Sequence, residues 1–209
     1  ASSKAKRVVV ATDDQRIADV VKGFGGECVM TASDHSTGTD RLAEVADLLK
    51  LSADEVVVNV QGDEPLLPAS AIQQVASMLE THPEASIATL CELIQQDSDI
   101  DDPNQVKVVK SQSGRALYFS RARIPGHSAY TCGIYFRHIG LYAYRAGFLR
   151  DFTTWMPTPL EQFEGLEQLR ALEHDRFVQV DVALESIPLG VDTKQDLALV
   201  RKYLEQSGV

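Results

Sequence analysis

Two carboxylates follow one of the clearest apolar runs of the sequence, in residues 59–65 (NVQGDEP). The apolar pattern predicts a strand over residues 55–60, and ligands of open α/β sheets bind at the carboxyl ends of the strands. Asp63 is therefore well placed to hold Mg²⁺, which prefers one or two carboxylates together with substrate phosphates. The alternative interpretation is an acidic turn in which Asp63 and Glu64 are solvated. The spacing alone leaves both interpretations open.

A second acidic motif lies near the end of the chain, at residues 190–193 (GVDT). A predicted strand and a loop precede it and a predicted helix follows, so Asp192 taken alone is best interpreted as a helix cap. Its combination with Asp63 changes this balance, because two carboxylates from distant segments are what a phosphate-bridging Mg²⁺ ion needs.

Residues 35–41 (HSTGTDR) combine hydroxyl groups, a glycine and the start of a predicted helix. The N–H groups at a helix N-terminus bind anions, so this segment is a candidate for an anion or ribose site. The alternative is a capping loop in which Thr39 is the N-cap and Arg41 faces solvent.

Three further motifs carry polar side chains on predicted elements. Arg121 is the last residue of the motif YFSR (residues 118–121), where its guanidinium can bind a ligand carboxylate bidentately. The alternative interpretation of Arg121 is a surface salt bridge. His138 and Tyr142 lie four residues apart on a predicted strand and so share one face, which is also typical of a hydrogen-bonded core. Residues 166–170 (LEQLR) lie on an amphipathic helix, where polar residues normally form the solvated face.

The elements that must position these residues are visible in the apolar periodicity. Strands are predicted at residues 7–11, 27–30, 55–60, 86–93, 106–110, 116–120, 139–144 and 178–184. Helices are predicted at residues 15–24 with Asp13 as the N-cap, then near 42–49, 69–79, 147–155, 160–172 and 194–204. The early alternation indicates βαβ units on a parallel sheet, and Ser113-Gly114 indicates a hairpin turn. The sequence thus predicts one α/β domain over residues 1–209, with a mixed sheet flanked by helices and a small antiparallel β subdomain.

Composition narrows the function classes. The formal net charge of −10 disfavours a surface that follows nucleic-acid phosphates. No apolar run is long enough to cross a bilayer, and no secretory signal is visible at the start. The three cysteines show no CxxC spacing, which disfavours structural zinc and a disulfide framework and favours the reducing cytoplasm.

Taken together and in this order, the motifs resemble the 3-deoxy-manno-octulosonate cytidylyltransferases (CMP-Kdo synthetases) of lipopolysaccharide assembly. The resemblance rests on the combination of VVVATD, QGDEP, YFSR, RHIGLYAYR, LEQLR and GVDT, and it covers nearly the whole chain. It implies a Rossmann-like nucleotidyltransferase (GT-A-like) fold. It also implies transfer of CMP from CTP to the anomeric hydroxyl of 3-deoxy-D-manno-octulosonate (Kdo), release of pyrophosphate, and a homodimer.

The same resemblance implies roles for residues within the matched motifs. Contacts to cytosine and ribose are expected around Thr37, Gly38, Arg41, Gln61 and Gly62. Mg²⁺ is expected on Asp63 and Asp192, which with Arg121 are the expected catalytic residues. The Kdo pocket is expected to draw on Arg121, His138, Tyr142, Glu167 and Gln168.

The sequence departs from the family pattern at three places. The family's first strand and its phosphate-binding loop, a unit of roughly 40 residues with the helix that follows, are not present before residue 7. Thr37 replaces the more usual serine, which keeps the hydroxyl, and the connection between Pro125 and Tyr135 is shorter. We expect that segments have been omitted from the chain, because the loss of a central strand should prevent stable folding.

Three other functions compete with this interpretation. The nearest is another sugar-acid cytidylyltransferase, such as one acting on sialic acid. A GT-A-like glycosyltransferase would also use an acidic motif and a metal ion, but it would release no pyrophosphate. A non-catalytic nucleotide-binding or oligomerisation module would bind CTP without turnover.

Overall fold

The computed structural model of the chain describes residues 3–126, 135–188, 190–191 and 193–207. The strands among these residues are β1 (Val9–Thr12), β2 (Glu27–Met30), β3 (Val56–Asn59), β4 (Ile87–Leu93), β5 (Lys107–Lys110), β6 (Ala116–Ser120), β7 (Phe136–Arg145) and β8 (Val178–Val182). The helices are α1 (Gln15–Gly23), α2 (Gly38–Leu48), α3 (Ala69–Thr81), α4 (Asp97–Ile100), α5 (Ala146–Phe152), α6 (Pro159–Glu164), α7 (Gln168–Glu173) and α8 (Lys194–Ser207).

Strand β7 is the centre of a six-stranded mixed sheet. One edge of β7 pairs antiparallel with β4, which in turn pairs parallel with β8. The other edge pairs with β5 along residues 136–137 and with β3 along residues 142–145. Strands β1 and β2 form a separate parallel pair. The predicted α/β fold with a mixed sheet is confirmed, and the predicted antiparallel region is the β5–β6–β7 part of this sheet.

Side chains of β4 alternate between two apolar clusters on the two faces of the sheet. Ile87 and Cys91 pack on the face that is covered by α2, α5 and α7. Ala88 and Leu90 pack on the opposite face against α3. Both faces are covered, which explains the nearly continuous apolar character of this strand.

Strand β7 contains a bulge opposite Thr89. Thr89 lies across from Tyr142, but the next residue of β4, Leu90, lies across from Ile139, so residues 140–141 have no partner on β4. Bulges of this kind bend a strand and re-aim its side chains, and they are common next to active sites.

The number of helices differs from the sequence prediction at two places. The helix predicted over residues 160–172 is two helices, α6 and α7, because Gly165 adopts a left-handed conformation with φ of 63° and ends α6. Helix α4 was not predicted, since a single turn is too short to show periodicity. No helix within the described ranges has the length and apolar character needed to cross a membrane.

Candidate active site

The start of α2 is organised by a capping box. The Thr37 hydroxyl accepts a hydrogen bond from the backbone N–H of Asp40 at 3.2 Å, and the Asp40 carboxylate accepts one from the N–H of Thr37 at 3.1 Å. Gly38 is the first residue of the helix. The N-cap is therefore Thr37, and the interpretation of Thr39 as the cap is wrong.

Thr39 instead faces the interior, with 4% of its surface exposed. Its hydroxyl donates to Oε2 of Glu167 at 2.9 Å and so joins α2 to the residue that precedes α7. Oε1 of Glu167 is buried and has no hydrogen-bond partner among the described residues. Burial raises the pKa of Glu167 above its ordinary value. A buried oxygen without a partner is costly in a folded protein, and it marks a place where a ligand can donate a hydrogen bond.

Arg41 lies in the same helix but points back toward the ends of β1 and β2. Its guanidinium lies 3.0 Å from the carboxylate of Asp13 and also donates to the hydroxyl of Thr31. The interpretation of Arg41 as a solvent-facing residue is therefore wrong. Asp13 is not the N-cap of α1 either, because Asp14 accepts the capping hydrogen bond from Arg16 N at 2.8 Å.

The acidic loop after β3 lies at the carboxyl end of the strand, as predicted. Gln61, Gly62 and Asp63 are all exposed, and Nε2 of Gln61 donates to the carbonyl of Gly140 in the β7 bulge at 3.3 Å. This contact links the loop to the strand that carries His138.

The backbone beside Asp192 contacts this acidic loop. The N–H of Val191 donates to the carbonyl of Asp63 at 2.7 Å. Gly190 is so close that an added Cβ would lie 3.1 Å from the same oxygen. Asp192 itself lies outside the described residues. The Thr193 hydroxyl, just before α8, accepts a hydrogen bond from Asp196 N at 3.2 Å. Both interpretations of Asp192, as a helix cap and as a metal ligand, stay predictions.

The chemistry of this region fits Mg²⁺ bound with the help of a phosphate ligand. No cluster of three or more His, Cys, Asp or Glu side chains suited to a metal occurs within the described ranges. Asp63, however, presents an exposed carboxylate that makes no hydrogen bond or ion pair to another described residue. A site with one or two carboxylates that leaves the other positions to substrate and water is the usual arrangement for Mg²⁺.

His138 and Tyr142 share one face of β7, as the spacing predicted. Their ring centroids lie 5.3 Å apart, and the His138 ring meets Phe119 edge-on at 4.9 Å. Burial and the nearby charge of Arg137 lower the pKa of His138 to about 3, so its imidazole is neutral near pH 7. Burial likewise raises the pKa of Tyr142. Both side chains therefore act as neutral hydrogen-bonding groups.

Arg121 is held by backbone carbonyls and forms no ion pair within the described part of the chain. Its guanidinium donates to Glu164 O at 3.0 Å and to Pro103 O at 3.1 Å. Carbonyl contacts fix the guanidinium without neutralising its charge, which leaves it able to attract a carboxylate. Among the described residues, the surface salt bridge considered as an alternative is not formed.

Lys107 supports the backbone of Arg121. It is fully buried, and its ammonium donates to the carbonyls of Arg121 at 2.7 Å and Asp102 at 2.8 Å. Burial lowers the pKa of Lys107 below its ordinary value.

The remaining predicted residue, Gln168, is buried at the first position of α7.

Four residues that support the site were not predicted from the sequence, namely Thr39, Thr89, Lys107 and Glu164. Lys107 lies in an apolar strand, and a lysine flanked by valines is a weak signal of a buried cation. Thr39 was considered only as a helix cap and Thr89 gave no signal, because their partners are far away in the sequence.

The predicted residues thus form connected groups. One group joins the start of α2 to Glu167, and the other joins the Gln61–Asp63 loop to β7 and to Val191. Acidic and basic groups at the carboxyl ends of strands, beside a helix N-terminus, define a nucleotide-binding α/β enzyme of the nucleotidyltransferase class.

Comparison with known proteins agrees with this class. Residues 1–181 match the family model described as "Cytidylyltransferase". The chain is 55% identical over 214 residues to a 3-deoxy-manno-octulosonate cytidylyltransferase of Hahella chejuensis, with 98% of this chain and 84% of that protein covered. It is also 55% identical over 212 residues to the protein of that name from Pseudomonas fluorescens, with 97% and 84% covered. The chain therefore belongs to the 3-deoxy-manno-octulosonate cytidylyltransferase family, as its motifs predicted.

Two solved structures extend the comparison. The structure of CMP:2-keto-3-deoxy-manno-octonic acid synthetase complexed with CTP superimposes with a TM-score of 0.90 at 36% identity, over 99% of this chain and 85% of that one. The crystal structure of 4-diphosphocytidyl-2C-methyl-D-erythritol synthase is 13% identical with a TM-score of 0.57, over 94% of this chain and 79% of that one. The second likeness is one of fold alone.

Proposed function

We propose that the protein transfers CMP from CTP to the anomeric hydroxyl of Kdo, giving CMP-Kdo and pyrophosphate for lipopolysaccharide biosynthesis. The observation that carries this proposal is the identity of 55% to curated Kdo cytidylyltransferases along almost the entire chain. The site is consistent with it, since among the described residues neither the Asp63 carboxylate nor the Arg121 guanidinium forms an ion pair.

The nucleotide end of the reaction is assigned to the start of α2 and the loop after β3. Thr37, Gly38 and Arg41 contact the ribose and base, together with Gln61 and Gly62. This assignment is supported by the exposed position of the Gln61–Asp63 loop at the end of β3 and by the capped helix N-terminus.

Metal binding is assigned to Asp63 and Asp192. When bound there, Mg²⁺ would neutralise triphosphate charge and lower the pKa of the attacking hydroxyl. The contribution of the chain is to hold a free carboxylate in place, since the Val191 N–H donates to the Asp63 carbonyl at 2.7 Å and ties the two segments together. Transfers to phosphorus depend mainly on such positioning and charge neutralisation.

The sugar acid is assigned to the part of the site formed by Arg121, His138, Tyr142, Glu167 and Gln168. Arg121 binds the carboxylate, because its guanidinium is anchored by two carbonyls but forms no ion pair within the described residues. His138 and Tyr142 are neutral and orient hydroxyl groups. The Oε1 atom of Glu167, which has no partner among the described residues, accepts a hydrogen bond from the substrate.

The test is pyrophosphate release by the purified protein with CTP and Mg²⁺, with Kdo, sialic acid or no sugar added. Release that requires Kdo is the expected result. Release with sialic acid in preference to Kdo would assign the enzyme to the other sugar acid. CTP binding without release of pyrophosphate in any mixture would favour a non-catalytic nucleotide-binding protein.

We also propose a homodimer and a cytoplasmic location. The homodimer follows from the family resemblance and is tested by light scattering of the purified protein. The location is supported by Cys28 and Cys91, which are both free thiols and fit a reducing compartment.

A further inference from the structure

Thr89 lies on β4 opposite the β7 bulge and is completely buried. Its hydroxyl oxygen lies 3.0 Å from the carbonyl oxygen of Ile139 and 2.8 Å from that of Leu141. The same oxygen lies 3.0 Å from Nε2 of His138. One hydroxyl therefore contacts three polar atoms, and the number of protons available decides how they are satisfied.

The hydroxyl of Thr89 has one proton to donate, and a carbonyl can only accept. If Thr89 donated to His138, both carbonyls would lose this donor in a place from which water is excluded, which is costly. The arrangement that satisfies the most groups has Thr89 donate to Ile139 or Leu141 and accept from His138. Nε2 of His138 must then carry the proton.

The other ring nitrogen of His138 has a different environment. Nδ1 makes no hydrogen bond to any residue in the described ranges, whereas Nε2 contacts Thr89. In the neutral imidazole with a proton on Nε2, Nδ1 is an acceptor. It is therefore suited to a ligand group that donates a hydrogen bond, such as a sugar hydroxyl.

We propose that Thr89 is a positioning residue, which fixes His138 as the Nε2–H tautomer so that Nδ1 accepts a hydrogen bond from a hydroxyl of the bound sugar acid. This inference rests on the proposed function, because it needs a sugar acid beside His138. The β7 bulge contributes to this positioning, since it brings the carbonyls of Ile139 and Leu141 to the same Thr89 hydroxyl that His138 contacts.

The direct test is nitrogen NMR of the full chain labelled with ¹⁵N-histidine, with the His138 signals assigned by their loss in His138→Asn. In the wild-type protein at pH 7, His138 is expected as the neutral Nε2–H tautomer. Thr89→Ser, which keeps the hydroxyl, should give the same spectrum. Thr89→Val, which keeps the shape but removes the acceptor, should give a mixture of tautomers.

Two results would overturn the inference. The first is a wild-type His138 protonated on Nδ1, which is observable even where Thr89→Val fails to fold. The second is a Thr89→Val protein in which His138 remains entirely Nε2–H.

Kinetics give a second and independent readout. Thr89→Val should raise KM for Kdo about five- to tenfold, the effect of one hydrogen bond, and leave KM for CTP unchanged. Thr89→Ser should restore both values. An equal change in the two KM values would contradict the positioning role. A wild-type enzyme with the expected tautomer but no turnover of Kdo would instead show that the proposed function is wrong.

Discussion

The hydroxyl of Thr39 in α2 donates to Oε2 of Glu167, the residue before α7, at 2.9 Å, although the two residues are 128 positions apart in the sequence. The contact leaves the other carboxyl oxygen of Glu167 buried without a partner among the described residues. The Thr39–Glu167 hydrogen bond therefore links the start of α2, assigned to the nucleotide, to the start of α7, assigned to the sugar acid. Loss of this bond should lower both the stability of the protein and its affinity for substrates.

Thr39→Val should lower the free energy of unfolding by about 1–3 kcal/mol, because it leaves a buried carboxyl oxygen without its donor. The measurement is urea denaturation at pH 7. Thr39→Ser is the matched control and should retain most of the stability. A valine variant as stable as the wild type would show that the hydrogen bond contributes little.

Asp63→Asn should reduce kcat about 100-fold or more and leave the fold unchanged, because it removes the charge assigned to Mg²⁺ but keeps the shape of the side chain. The measurement is steady-state pyrophosphate release, with circular dichroism to verify the fold. Asp54→Asn makes the same change at the other end of β3 and should have no effect on kcat. Near-normal turnover of Asp63→Asn would contradict the metal assignment.

Arg121→Lys should raise KM for Kdo about tenfold or more with little change in KM for CTP. A lysine cannot contact two carbonyls and a carboxylate in the geometry of a guanidinium. Arg123→Lys is the matched control, since Arg123 lies two residues away and pairs with Asp101 at 2.7 Å. If the two variants had equal effects on KM for Kdo, Arg121 would have no special role in binding the sugar acid.

His138 should make the protein less stable in acid. Its folded-state pKa is lowered to about 3, so between about pH 6.5 and pH 3 the unfolded chain binds a proton that the folded protein does not. The free energy of unfolding should therefore fall with decreasing pH in this window, by at most about 1.4 kcal/mol per pH unit from this group.

His138→Gln should remove this contribution, which is measured by urea denaturation at pH 7, 6 and 5. The exposed His174 provides the control, and His174→Gln should keep the wild-type dependence on pH. A His138→Gln protein with the same decrease in stability as the wild type would show that His138 titrates normally.

Much of the framework could be predicted from local sequence patterns. The bounds predicted for β2 and β6 agree with the structure, and α3 was predicted to within two residues. These elements have clear periodicity and are bounded by glycine, proline or polar residues. The division of residues 160–172 into α6 and α7 was missed because the apolar pattern continues across Gly165.

The supporting contacts of the site could not be predicted in the same way. The bulge in β7 depends on how this strand pairs with β4, which is distant in the sequence. Thr89 on β4 and His138 on β7, for example, are 49 residues apart. The burial of Thr39 depends on Glu167 in the same manner. Motifs predicted the residues assigned to the ligands, but the residues that contact and support them are defined only by tertiary pairing.

The most direct test of the central claim is mass spectrometry of the nucleotide product formed from CTP and Kdo in the presence of Mg²⁺. We predict CMP-Kdo in a one-to-one ratio with pyrophosphate. Free CMP in place of the conjugate, or a conjugate formed only with a different sugar acid, would contradict the account.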